Sequence, residues 1–309
     1  MSHISVLEKE WLDALEGREL QTYVDGTLGA GGHAKAVLEA HPEIQTFIGI
    51  DRDLDAIEIA QETLRSWREK VVFLHGNFLH FEEKMKEAGI SKVDAVLLDI
   101  GVSSMQLDRG ERGFSFMRPG PLDMRMNRED VITAEEIVNT WPEEKLGRIF
   151  REYGEEKRWK AAARVIVQER KHRAIISTKD LADVLSPVLK RRSPKELHPM
   201  TLVFQALRIA VNGELDALKA ALPQIVNRLR PGGVLGVITF HSLEDRIVKR
   251  SFLSFASDKV DTAGLGGGLF SDKEPQVRIL TRKALIPSKG EIKSNPRSSS
   301  AKLRIVEKL

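Results

Sequence analysis

No cysteine occurs anywhere in the chain. Disulfides, thiolate metal sites and cysteine nucleophiles are therefore excluded. No apolar run reaches transmembrane length. The segment Met1–Asp13 carries acids and lacks the basic-then-apolar pattern of a secretory signal. The expectation is a soluble, cytoplasmic protein with no membrane partner. No spacing of His, Asp and Glu suggests a metal site, so no metal is expected. Internal repeats and low-complexity tracts are also missing.

What is present is a chain able to build a core. Hydrophobic residues make up 41% of the 309 positions, enough for one large domain, or one domain carrying an insertion. The formal net charge of +3 conceals an uneven distribution. Between Lys157 and Lys195 there are twelve Lys or Arg against three acids, so this segment is near +9 and the remainder near −6. A basic field on an otherwise acidic chain suits a polyanion. A solvated helical face is the alternative.

Strand and helix patterns alternate from Thr22. The runs TYVDGT, TFIGID, VVFLHGNF and VDAVLLDIG read as four strands, with helices over Ala34–Ala40, Leu54–Trp67 and Phe81–Ala88 between them. Strands apolar on both faces, separated by helices, imply a parallel sheet covered on both sides. The alternation then stops. A Pro/Gly-punctuated loop and four helical segments follow, the last over Thr178–Leu189 with Thr178 as its N-cap. Alternation resumes at Pro199, with PGGVLGVITFHS as a fifth strand and Asp258–Glu274 as a loop. QVRILTRKAL and AKLRIVEKL form a closing antiparallel pair joined through a turn region. The predicted organisation is an α/β domain over 1–103 and 199–309, interrupted by a mostly helical, substrate-binding insertion over 104–198.

Chemistry concentrates at the strand ends. Asp25-Gly26-Thr27-Leu28-Gly29-Ala30-Gly31-Gly32-His33 joins the first strand to a helix. Glycines there let backbone approach a ligand, and the helix N-terminus favours negative charge. The spacing is not the dinucleotide G-x-G-x-x-G. Asp51 ends the second strand, where an acid can accept hydrogen bonds from ribose hydroxyls. Phe78 follows the third strand, beside a place for an adenine ring, and Asp99 ends the fourth. A nicotinamide oxidoreductase shares several of these devices. Asp25, placed to attract a cationic amino-acid end, and the closing antiparallel pair favour S-adenosylmethionine.

Longer blocks narrow the reading. Asp25–His33, LLDIGVSSMQLD (Leu97–Asp108), GFSF with PLDMRM (Gly113–Met126), FQALRIAVNGEL (Phe204–Leu215), ITFHSLEDRIVK (Ile238–Lys249) and NPRSSSAKLR (Asn295–Arg304) span nearly the whole chain. In these blocks the sequence resembles the RsmH (MraW) family of 16S ribosomal RNA cytosine-N4 methyltransferases. The resemblance implies a class I, Rossmann-like methyltransferase fold, mostly parallel with an antiparallel last strand, and an inserted helical domain. It implies methyl transfer from S-adenosylmethionine to the exocyclic N4 of a cytidine in the decoding region, with the RNA or small subunit as partner. It also maps cofactor contacts onto Gly31, Gly32, His33, Asp51, Phe78, Asp99 and Gln106, to which the loop reading adds Asp25 and Gly29. A methyltransferase for another nucleic acid, and a non-catalytic rRNA-binding assembly factor, are the alternatives.

The transfer itself sets requirements. Cytosine N4 is a poor nucleophile, and a hydrogen-bond acceptor beside it helps localise its lone pair and take its proton. Lacking cysteine, the chain has no covalent route through cytosine C5. The Asp/Asn-Pro-Pro-aromatic motif of many amino-methyltransferases is replaced by Asp99-Ile100-Gly101-Val102. Asp99 is the first candidate acceptor, with cofactor binding alone as its alternative role. His241 and Asp245, after the fifth strand, are further catalytic candidates. Phe114 and Phe116 are candidates for stacking an unstacked base, with packing as the alternative. Lys171, Arg173, Lys190, Arg191, Arg192 and Arg297 are expected on phosphates.

Overall fold

Each apolar run read as a strand is one. The computed structural model of the chain describes residues 5–191, 198–261 and 270–309. It contains β1 (Thr22–Asp25), β2 (Thr46–Asp51), β3 (Val71–His75), β4 (Val93–Asp99), β5 (Leu229–Thr239), β6 (Lys259–Asp261), β7 (Phe270–Asp272), β8 (Val277–Ile279) and β9 (Lys302–Lys308). Seven of them form one sheet in the order β3-β2-β1-β4-β5-β9-β8. The first five run parallel; β9 is antiparallel to β5, and β8 is antiparallel to β9. This is the class I methyltransferase arrangement.

Period-two alternation sends successive side chains to opposite faces, and both faces are covered. Tyr23 and Phe47 enter one core with Trp11, Val37 and Leu38. Their neighbours Val24, Ile48 and Ile50 enter the other with Phe81, Leu222 and Val248. Trp11 is fully buried and donates its indole N–H to the Tyr23 hydroxyl at 2.8 Å. Gly236 in β5 makes room for that indole, since a Cβ there would lie 2.4 Å from the ring.

Two details differ from the expected pattern. The connection between β8 and β9 holds the helix Lys289–Ser294 and the tight helical turn Pro296–Ser300. Serine capping explains the helix: the Ser288 hydroxyl accepts the Glu291 N–H at 3.1 Å. Within the expected loop Asp258–Glu274, β6 and β7 pair as a separate antiparallel ribbon.

The chain divides into two units, the first made of Met1–Gly101 with Leu215–Leu309 and the second of Val102–Glu214. The second unit is helical, with helices Ala134–Thr140, Glu143–Glu152, Trp159–Glu169, Thr178–Leu185 and Pro199–Asn212. Its C-terminal limit therefore lies beyond the 198 read from the sequence. The helix Pro199–Asn212 sends Met200, Val203, Phe204 and Leu207 into the same core as Ile137, Phe150, Ile166 and Leu181. Asn212 ties that helix down by accepting the Met126 N–H at 2.9 Å and donating to the Met124 carbonyl at 2.8 Å. Gly213, at φ 60°, then ends it. The helix starting at Thr178 is capped by Ser177, not Thr178: the Ser177 hydroxyl accepts the Asp180 N–H, and Asp180 answers onto the Ser177 N–H.

Candidate active site

Parallel pairing aligns the carboxyl ends of β1, β2 and β4. Asp25 lies in register with Gly49 and Leu97, two residues short of Asp51 and Asp99. The loop after β1 is fastened over both neighbours. Gly26 N–H donates to the Leu97 carbonyl and Leu28 N–H to the Ile50 carbonyl, each at 2.9 Å. Gly26 must be glycine for this approach, because a Cβ would lie 2.5 Å from the Leu98 side chain. Gly31, at φ 82°, is the left-handed residue that starts the helix Gly32–Ala40.

Three carboxylates gather around this loop. Asp25 is buried and its Oδ1 accepts the Thr27 N–H at 3.0 Å. Asp51 accepts the Gly29 N–H at 2.7 Å on Oδ2 and the Asp53 N–H at 2.9 Å on Oδ1. Asp99 donates its backbone N–H to the Thr27 hydroxyl at 2.6 Å. Its own Oδ1 is buried without a hydrogen-bond partner among the described residues. Thr27 thus links β1 to Asp99, a role no sequence pattern singled out; a hydroxyl immediately after Gly26 was the available signal.

His33 is the group of opposite character. Its Nε2 lies 2.9 Å from the Val6 carbonyl, an acceptor only, so Nε2 carries a proton and Nδ1 faces Asp99 Oδ2 at 3.6 Å. Burial pushes the Asp99 carboxyl up to about 7, with a further rise from nearby Glu244. Burial likewise pushes Asp25 up to about 7 against the lowering effects of His33 and the Thr27 N–H. Asp51 is raised by burial, opposed by its backbone N–H bonds. A cluster rich in carboxylate and poor in cation, with one oxygen left unpartnered, suits a ligand that brings positive charge and hydrogen-bond donors. The residues fit S-adenosylmethionine in this respect.

Phe78 joins the group: its Cβ lies 3.7 Å from where a Gly26 Cβ would stand. Asp25, Gly29, Gly31, Gly32, His33, Asp51, Phe78 and Asp99 all belong to the first unit, and Gln106 belongs to the second. There Gln106 closes a capping box, accepting the Ser103 N–H at 3.1 Å and donating its own N–H to the Ser103 hydroxyl.

His241 and Asp245 are held by structural partners. His241 caps the helix Ser242–Ala256, with Nδ1 accepting the Glu244 N–H and Nε2 lying 2.9 Å from buried Glu244 Oε1. Asp245 accepts from Arg304 at 2.7 Å and Lys302 at 3.2 Å, tying the helix to β9. Burial alone raises its carboxyl, but those two cations hold it below the usual range.

In the second unit Phe114 is buried in the helical core, and packing accounts for its position. Phe116 lies 5.5 Å, centroid to centroid, from both His198 and Phe204. Lys171, Arg173, Lys190 and Arg191 are exposed. Arg173 is engaged by Glu169 at 2.6 Å. Arg192 lies outside the described residues. Arg297 is exposed, in the turn before β9.

Comparison with known proteins extends this picture. The model of the MraW methylase family matches residues 1–309. A ribosomal RNA small subunit methyltransferase H from Protochlamydia amoebophila is 54% identical, covering 99% of this chain and 97% of that protein. One of the same name from Clostridium botulinum is 45% identical, covering 99% of each. Among solved structures, an rRNA methylase from Streptococcus thermophilus aligns at a TM-score of 0.44 and 10% identity, covering 100% of this chain and 99% of that one.

Proposed function

Because this chain belongs to the MraW methylase family, we propose that its strand-end carboxylate cleft binds S-adenosylmethionine and that the enzyme methylates the N4 of a cytidine in the decoding region of 16S ribosomal RNA. The observation that carries the reading is the unpartnered Asp99 Oδ1 at the end of β4, beside the glycine loop.

When bound, S-adenosylmethionine supplies a methyl group activated on a cationic sulfonium. The chain's own residues bind, orient and handle the proton. Buried Asp25 attracts the cationic amino-acid end near the loop glycines. Both Asp51 oxygens take backbone N–H groups, and the carboxylate's remaining lone pairs can accept the ribose hydroxyls. Phe78 offers an apolar wall for a purine ring. Asp99 accepts a hydrogen bond from the cytosine amine and takes the proton released as the new N–C bond forms. A group near pKa 7 suits this task, because it is substantially ionised at neutral pH yet basic enough to receive a proton. Positioning and exclusion of water supply the rest. The exposed cations of the second unit hold the RNA through its phosphates.

The test is transfer of label from S-adenosylmethionine to purified small ribosomal subunits and to their naked RNA, followed by digestion to nucleosides. N4-methylcytidine is the expected product. Label confined to protein or DNA overturns the substrate assignment, and label on another cytosine atom overturns the role given to Asp99.

A further inference from the structure

The first unit carries a hollow that the methyl-transfer chemistry does not use. It is a cavity of about 660 Å³ between the helix Ser242–Ala256, β8 and the chain's last residue. Lys249, Phe252, Leu253 and Ala256 line it from one stripe of the helix, at the spacing of a single helical face. Val277 and Ile279 of β8 face it from the other side. Phe252 and Val277 are buried, whereas Leu253 is about half exposed. The size falls within the roughly 300–1,000 Å³ of small-molecule sites.

Its side-chain charge is one-sided. Lys249, Arg278, Arg282 and Arg304 line it and no Asp or Glu does. Two of these cations are satisfied within the protein: Arg304 by Asp245 at 2.7 Å and Arg278 by Glu307 at 2.6 Å. Lys249 and Arg282, both exposed, have no acidic partner among the described residues. An apolar floor between two uncommitted cations matches a nucleotide, with the base on the floor and the backbone phosphates at the rim.

We propose that this cavity is a docking site for a single-stranded segment of the RNA substrate, with one base against Leu253, Ala256 and Ile279 and flanking phosphates on Lys249 and Arg282. The inference rests on the proposed RNA substrate. It adds a contact on the sheet-bearing unit to the basic face of the helical unit. The polyanion commits the occupant: an apolar peptide gains nothing from the two cations, and a small neutral metabolite leaves them unused.

The test uses the full-length K249E/R282E enzyme, with K249R/R282K as the charge-preserving control. Both side chains are exposed and outside the methyl-transfer cleft, so thermal stability and S-adenosylhomocysteine affinity should match the parent. Binding of a fluorescent single-stranded RNA decamer is expected to weaken several-fold, with the slope of log affinity against log salt reduced by about two, one per lost phosphate contact. The KM for small subunits should rise while kcat stays, and K249R/R282K should match the parent in both. Ultraviolet cross-linking of the decamer should mark peptides from the helix Ser242–Ala256 or residues 277–282. Unchanged RNA affinity and KM in K249E/R282E, with a parent enzyme that methylates rRNA, overturns the docking site and leaves the function standing. A parent that transfers no methyl to rRNA, but whose decamer binding still depends on these two cations, overturns the function and leaves the docking site standing. Loss of binding to anionic vesicles or to an acidic peptide, but not to RNA, also overturns it.

Discussion

Asp99 is where the chemistry can be tested most sharply. Replacing it with Asn keeps the shape and removes the base. A proton acceptor is worth about 10²–10⁴-fold in rate, so kcat should fall by that order while cofactor affinity changes little. A raised KM for S-adenosylmethionine with kcat intact would instead assign Asp99 to cofactor binding alone. In the parent enzyme, kcat/KM should rise with pH through an acid limb near 7, the value to which burial raises the free carboxyl. The limb in kcat should lie lower, because a bound cation favours the carboxylate. Asp99→Asn should abolish this limb. The same carboxyls leave a mark on stability. Asp25 and Asp99 hold protons in the folded state up to about pH 7, whereas the unfolded chain releases them near its ordinary value of 3.8. Between those values the folded state binds more protons, so their contribution is full below about pH 4 and is lost as pH rises through 7. Thermal melts of the ligand-free parent and Asp99→Asn should therefore diverge between pH 4 and 7, with the parent losing ground as pH rises. Parallel curves would contradict the burial of this carboxyl.

At the scale of elements, the sheet depends on small accommodations between strand and helix. The fully buried Trp11 indole fits against β5 only because position 236 has no side chain. Gly236→Ala should destabilise the protein by about 1–3 kcal/mol through overpacking, read as an earlier denaturation midpoint with an unchanged slope. Adding Trp11→Leu should cost less in the Gly236→Ala background than alone, a coupling that a double-mutant cycle measures. Apolar alternation made these strands legible, because both faces of a parallel sheet are buried. Gly236 was not legible as a packing site, since a glycine in a strand gives no sign of which distant ring it admits. Phe114 illustrates the same limit: an aromatic in a Gly- and Pro-rich loop looks available for stacking, yet the helical core takes it.

Across the whole molecule, charge and chemistry occupy different units. The carboxylate cleft is built in the unit containing the sheet, and the +9 segment lies in the sequence of the helical one. Lys171→Gln combined with Lys190→Gln should weaken rRNA binding at low salt and reduce the salt slope by about two, with S-adenosylhomocysteine affinity unchanged. An unaltered slope would take these lysines off the phosphates. The sequence by itself determined the family, the parallel sheet and the acids at its strand ends, because alternation, glycine loops and strand polarity are local and repeat along the chain. It also located the helical insertion, though not its end: the helix Pro199–Asn212 shows its allegiance only through the side chains it packs against. The tertiary structure alone decided which carboxyl oxygen lacks a partner, that Thr27 braces Asp99, and that His33 points Nε2 at Val6 and Nδ1 at Asp99. Those features rest on desolvation and on hydrogen bonds between residues far apart in sequence, which exist only once the chain has packed.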